Sequence, residues 1–196
     1  MASTYSDRLR IELIGTGEQS GTWGNTTNTN LGTLIEEAIA GVASITMTDA
    51  NYTLTTANGA TDESRQAVLV MSGTLSASRD VICPAEEKIY IIKNSTTGGQ
   101  SIVLKTSGGT GVTVPNGKTM LVFCDGTNVV TGNDALTSIA VAGNATVTGT
   151  LTVDGATSLD DSVVINESGA DKDFRVEGDT DANLLFTDAS ADAAGI

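Results

Sequence analysis

The feature that most restricts this chain is a six-residue period near its C-terminal end. Val141, Val147, Val153, Leu159 and Ile165 recur every six residues. Gly143, Gly149 and Gly155 follow the first three by two positions, and Ala145, Leu151, Thr157 and Val163 follow the first four by four positions. A short fixed period with one large apolar side chain per repeat marks a solenoid or shaft, in which no single repeat buries enough surface to be stable alone. Two architectures use such a repeat. One chain can coil into a hexapeptide left-handed β-helix, or three identical chains can wind about a common axis. About five repeats make fewer than two coils of the first form, whereas three-fold symmetry supplies the missing core at any length. A trimeric β shaft is therefore the expected arrangement of residues 134–196, with Val141, Val147, Val153, Leu159 and Ile165 forming the core of the trimer.

Past Ile165 the strict period fades. Phe174 and Val176, then Leu184 and Phe186, still alternate as short strands about the acidic turn 177–181. The sequence stops in mid-pattern at Gly195-Ile196, and more chain is expected to follow.

Residues 44–133 obey a different rule. Strand-like segments at 44–48, 52–55, 67–72, 80–83, 88–94, 101–105, 111–114, 118–124 and 128–131 are separated by Asn58-Gly59, Ser72-Gly73, Gly98-Gly99, Gly108-Gly109, Asn116-Gly117 and Asp125-Gly126. These pairs tolerate positive φ and punctuate a β-rich chain. With 30 Thr and 22 Gly against 2 Pro, the composition agrees. So many short strands in so few residues predict a compact β-sandwich or jelly roll.

Residues 1–43 predict one short helix and little else. Leu31, Leu34, Ile35, Ala38 and Ile39 recur at helical spacing over 31–40, with Asn28 or Asn30 as candidate cap and Gly41 as a left-handed stop. Ahead of it, Gly15, Gly17, Gly21 and Gly24 surround Trp23 in a segment too rich in Gly, Thr and Asn to fold by itself. A lone Trp there is either an anchor into a partner or a plug over its own helix, since Trp is enriched in both settings. The fold class is thus mainly β: an N-terminal anchor with one short helix (1–43), a sandwich domain (44–133) and the start of a repetitive shaft (134–196).

The formal net charge of −14 is unevenly spread, with −3 over residues 1–40, −1 over 41–133 and −10 over 134–196. Such acidity opposes binding to nucleic acid or to anionic membranes, both of which draw on Lys and Arg. No run of apolar residues is long enough for a signal peptide or a membrane span, so membrane insertion is not expected. The chain has no histidine, which removes the histidine base, the His-activated nucleophile and the imidazole metal ligand. Cys83 and Cys124 sit in apolar strand segments and read as buried thiols of a protein made in a reducing cytoplasm.

The remaining constellations are weak. Asp179-x-Asp181-x-Asn183 opens like a calcium loop, but Leu184 replaces the required Gly and Ser190 the closing Glu. Asp160-Asp161 and Glu86-Glu87 read as solvated charges, and residues 107–111 lack the Lys-Ser/Thr ending of a phosphate loop. No catalytic, cofactor-binding or metal residue is assigned, and no cofactor is expected.

Three stretches together carry a resemblance: TGEQSGTWGNTTNTNLGTLIEEAIAG, then KIYIIKNSTTGGQSIVLKTSGGTGVTVPNGKTMLVFCDGTNVV, then GNATVTGTLTVDGATSLDDSVVI. Over essentially its whole length the chain resembles the N-terminal part of tail fibre proteins from tailed bacteriophages, especially marine ones. The resemblance implies a structural, non-enzymatic virion protein that is made in the host cytoplasm and forms a homotrimer. Its first 40 residues would attach the fibre to a tail adaptor or to a tail-tube or nozzle protein, through Trp23, Leu31, Leu34, Ile35 and Ile39. The sandwich would be a proximal collar, and host-receptor recognition would lie in the distal part. Two alternatives come from other classes: a polysaccharide-degrading tailspike whose catalytic domain lies beyond residue 196, and a bacterial surface adhesin. Hexapeptide-repeat acyltransferases share only the repeat, and their chemistry commonly needs a histidine.

Overall fold

A computed structural model of the 196-residue chain describes residues 2–133, 141, 145, 147, 149–157, 174–176, 185–188 and 193–195. The chain divides into two compact units, Met1–Ile139 and Ala140–Ile196. The first opens with a small antiparallel hairpin, β1 (Thr4–Tyr5) and β2 (Glu12–Leu13). A continuous helical stretch follows, made of α1 (Trp23–Thr29), a π-helical segment (Asn30–Ile35) and α2 (Glu36–Ala40). Nine strands come next: β3 (Val42–Thr46), β4 (Tyr52–Thr53), β5 (Val68–Ser72), β6 (Arg79–Cys83), β7 (Lys88–Asn94), β8 (Ile102–Thr106), β9 (Gly111–Val114), β10 (Thr119–Cys124) and β11 (Val129–Thr131). Each lies where the alternation and the glycine pairs predicted a strand.

The order of pairing departs from the prediction. One sheet runs β11-β10-β7-β5-β3 and the other β4-β6-β8-β9. The chain passes from one sheet to the other at every step from β3 to β8, and within each sheet these strands are parallel: β3 to β5, β5 to β7, β4 to β6, β6 to β8. Parallel neighbours need a crossover, and here each crossover contains a strand of the opposite sheet. The result is a two-sheet coil, closed by the antiparallel strands β9, β10 and β11. A jelly roll would pair these strands antiparallel, so the jelly-roll expectation is corrected to a coil.

Glycine decides the corners. Gly73 and Gly98 have φ of +104° and +96°, and a Cβ on either would stand 2.3 Å from the Met47 carbonyl oxygen or 2.1 Å from that of Leu75. These carbonyls belong to the preceding turn of the coil, so the missing side chain lets successive corners stack directly. Glycines that read equally well as hairpin turns are here the places where the chain changes sheet.

Inward-facing rows fill the space between the sheets. Leu69, Met71, Ile92, Val122 and Cys124 come from the first sheet, and Val81, Cys83, Ile102, Leu104 and Val114 from the second. Polar residues join them, Thr106 on β8 and Asn94 on β7. Asn94 is fully buried at the end of β7; its amide nitrogen donates to Gln100 O and Val114 O, both at 3.0 Å, while its oxygen accepts from Thr96 N at 3.1 Å and Thr96 Oγ1 at 2.6 Å. All four bonding positions of the amide are used, as a buried amide requires.

The Cys83 thiol and buried phenols make the fold sensitive to alkali. Burial, with Cys124 close by, pushes the Cys83 thiol up to about 12, and burial also raises the Tyr90 hydroxyl. For an acid whose folded value is raised, the stabilisation is complete below its unfolded value and is lost as pH climbs toward the folded one. Lys88, held down to about 8 by burial, acts in the opposite direction between there and its ordinary value of 10.5. With the Tyr52 hydroxyl, pushed up to about 12 by burial and its bond to Glu63, three raised acids outweigh one depressed lysine. The denaturation midpoint is therefore expected to fall as pH passes from 9 to 11, with Cys83→Ala flattening the first part of the fall; a midpoint that rises over this range contradicts the assignment.

In the second unit, β12 (Phe174–Val176), β13 (Leu185–Asp188) and β14 (Ala193–Gly195) form an antiparallel sheet. The first two lie at the strand-like pairs noted in the sequence, and β14 was not anticipated. Val141, Val147 and Val153 are each about half-exposed, at 52, 54 and 50 %. Leu159 and Ile165, like Asp160-Asp161, the acidic turn 177–181 and the calcium-loop-like stretch 179–183, lie outside the described residues.

Candidate docking surface on the N-terminal helix

The helix begins earlier than its apolar spacing suggested. Trp23 opens α1, and Thr22 precedes it without a side-chain capping bond. Asn28 and Asn30 lie inside the helical stretch, so neither is the cap. Asn30 instead bridges to the hairpin: its amide nitrogen donates to Glu12 O at 2.8 Å and its oxygen accepts from Glu12 N at 3.2 Å. One side chain thus satisfies both backbone groups of a strand residue. Gln19 adds a second tie, donating to Glu12 Oε1 at 2.7 Å and accepting from Thr26 Oγ1. The Gly-, Thr- and Asn-rich segment is ordered by these side-chain amides, which apolar periodicity does not register.

The expected left-handed stop is also corrected. Gly41 is extended, with φ −73° and ψ 150°. Its smallness serves close packing, because a Cβ there would stand 2.0 Å from Gln66 Oε1 and 2.6 Å from Glu37 O. The Glu37 carbonyl accepts from both Gly41 N and Ala67 N, and Gly41 O accepts from Val68 N, so the helix end runs straight into the sheet. The boundary expected between residues 43 and 44 falls inside β3. Residues 1–43 and 44–133 belong to the same compact unit.

A buried arginine fastens them. Arg65 is 1 % exposed, and its guanidinium donates to Leu9 O at 2.9 Å, Ala57 O at 2.9 Å and Ala60 O, with Asp62 Oδ2 at 3.2 Å and Glu37 Oε2 at 4.0 Å. Asp62 in turn accepts from Ala57 N, Arg65 N and Ser64 Oγ at 2.7 to 2.9 Å, and Arg10 reaches both Asp62 and Ser64. The hairpin loop, the helix and the β4–β5 connection therefore converge on one cation. No periodicity singles out Arg65; the only hint in the sequence is that arginine is scarce.

Against this fixed base the expected anchor residues separate. Trp23, Leu31 and Ile39 are 60, 59 and 75 % exposed, while Leu34 is fully buried and Ile35 half-buried. Leu34 is thus removed from the set of residues open to a partner. In a regular α-helix, positions eight apart are rotated by about 80°. The wider π turn over Asn30–Ile35 advances less per residue and keeps Leu31 and Ile39 closer to one face. Leu31 and Ile39 are thus exposed on one side of the helix, and Trp23 is exposed at its start.

Beside the helix lies a cleft of about 360 Å³ lined in part by Glu37, Asp62 and Glu63. Glu63 accepts from Tyr52 OH at 2.7 Å and Thr55 N at 2.9 Å, and Asp62 pairs with Arg65, whereas the buried Glu37 Oε2 accepts no hydrogen bond and lies 4.0 Å from Arg65 Nη1. Among the described residues no cluster of His, Cys, Asp and Glu is placed to hold a metal ion, and no helix is long and apolar enough to cross a membrane. Residues 107–111 turn between β8 and β9, with Gly109 N bonded to Thr106 Oγ1. Both cysteines are buried free thiols. No protein-family model, curated protein or solved structure matches the chain.

Proposed function

We propose that the chain is the tail-proximal part of a trimeric bacteriophage tail fibre, a structural virion protein made in the host cytoplasm. Its N-terminal helix docks on a tail adaptor or on a tail-tube or nozzle protein, the two-sheet coil forms a collar, and residues 134–196 begin the shaft. Host-receptor recognition belongs to the distal end of the fibre. The observation that carries this reading is that Trp23, Leu31 and Ile39 are left exposed on a helix that Asn30 and Arg65 tie to the hairpin and to the β4–β5 connection. Large apolar side chains held immobile in water gain most when a partner covers them, and Trp is the residue most enriched at interface hot spots. The sequence resemblance supplies the nature of that partner, and the six-residue repeat supplies the threefold assembly.

The test is Trp23→Ala. Loss of an aromatic hot spot costs about 2 kcal/mol or more, so fibre incorporation into particles is expected to fall at least about tenfold. Because Trp23 is exposed, the melting temperature and β content of the isolated protein should stay as they were. Particles that carry the variant at wild-type levels would exclude the docking role.

A further inference from the structure

The outer face of the five-stranded sheet is a second apolar surface, distinct from the exposed helix residues. Strand register aligns Val42, Val68, Ile91 and Leu121 in one row across β3, β5, β7 and β10, and Ile89, Phe123 and Val130 in a second across β7, β10 and β11. Val42 is 58 % exposed, Ile89 67 %, Ile91 40 %, Leu121 45 % and Phe123 39 %. A shallow groove of about 120 Å³ runs between Ile89, Leu121, Phe123 and Gly132. The open apolar area is on the order of 500 Å², at the upper end of what a monomeric protein leaves uncovered.

Its charge is as informative as its size. The chain has 24 acidic residues, yet none is on an outward-facing position of these five strands, where Lys93 is the sole ionised group. The outward positions of the other sheet, by contrast, include Asp80 and Lys105 beside Thr53 and Thr113. Copies of a chain with net charge −14 repel one another, so the surface through which they can meet is one cleared of acids and able to release water. A basic partner would instead be matched by an acidic face. The covalent path adds a further reason. β11 is an edge strand of this same sheet, and only nine residues separate its last residue, Thr131, from Val141, the first of the six-residue repeat. That link spans at most about 35 Å, so copies joined through their repeats keep these sheets within reach of one another.

We infer that this face is the contact between copies of the chain, with three of them turning Ile89, Ile91, Leu121 and Phe123 toward a shared axis. The inference rests on the trimeric reading given above, and the experiment separates the two. The 196-residue chain carrying Ile89→Cys is weighed by light scattering and labelled with a small maleimide; Thr113→Cys, on the outer face of the other sheet, is the reference. The expected result is a trimeric mass with Ile89→Cys labelled at least about tenfold more slowly than Thr113→Cys, and a shift toward monomer when Leu121→Asp is added. A trimeric mass with equal labelling rates overturns this inference and leaves the trimer standing. A monomeric mass with equal rates overturns both.

Discussion

Replacing Arg65 with Met is expected to cost about 3–5 kcal/mol of stability, because breaking a buried ion pair leaves its partner groups undercompensated. Asp62 would keep only Arg10 of the two cations that face it, and the carbonyls of Leu9, Ala57 and Ala60 would lose their donor together. Methionine fills much of the volume, so the loss reports bonding rather than a cavity. Arg65→Lys should recover only part of it, since an ammonium at the end of a flexible stem cannot spread donors in a plane to three carbonyls. Chemical denaturation measures the total. Limited proteolysis measures its distribution: residues 1–22 should become cleavable under conditions where the strands remain protected. A variant with unchanged stability and protection would mean that the helix and hairpin are held by something other than this cation.

A comparably large effect is expected from Asn94→Asp, which changes almost no volume. The amide nitrogen now donates to two carbonyl oxygens, and a carboxylate there would turn both contacts repulsive in a fully buried site. An unpaired buried charge is resisted by several kcal/mol, and the group responds by holding its proton. The sign of the pH dependence follows. With its folded value raised, the new acid destabilises least below the ordinary carboxyl range and progressively more as pH rises through it. The variant should approach wild-type stability near pH 3 and lose more than about 3 kcal/mol by pH 7. Asn94→Leu should also be destabilising, because Thr96 N, Gln100 O and Val114 O lose their partner, but without that pH dependence. Equal pH profiles for the two variants would exclude the buried-charge explanation.

These two residues mark the limit of what was legible in the sequence. Alternation and positive-φ glycine pairs located all nine strands from β3 to β11, because both signals are local. Whether neighbours run parallel or antiparallel depends on where the chain goes after each corner. Gly73 serves a hairpin and a change of sheet equally well until the carbonyl of Met47 is seen against it. The helix was found by its apolar spacing, and its first two turns were missed because Asn30 and Gln19 order them through amide bonds to Glu12. Leu34 and Leu31 belong to the same apolar pattern, yet only Leu31 is open to a partner. The wide π turn and the packing of Leu34 separate them, and neither is written in a hydrophobic period. Arg65 and Asn94 were invisible for the opposite reason: each is polar in a position where burial statistics predict exposure.

The placement of β3 and β11 at opposite edges of one sheet has a mechanical consequence. If the chain is the base of a fibre, as proposed above, a pull from the distal end would feed tension into this two-sheet coil at one edge strand and draw it out at the other. Edge strands peel under such a load, giving up their ladder bonds one after another instead of all at once. The contacts of Arg65 and Arg10 with the 57–64 loop act as a strain relief upstream of β3, passing force into that loop before it reaches the edge. The rupture force of the coil would then be set less by the number of its strands than by one guanidinium and the three carbonyls it holds.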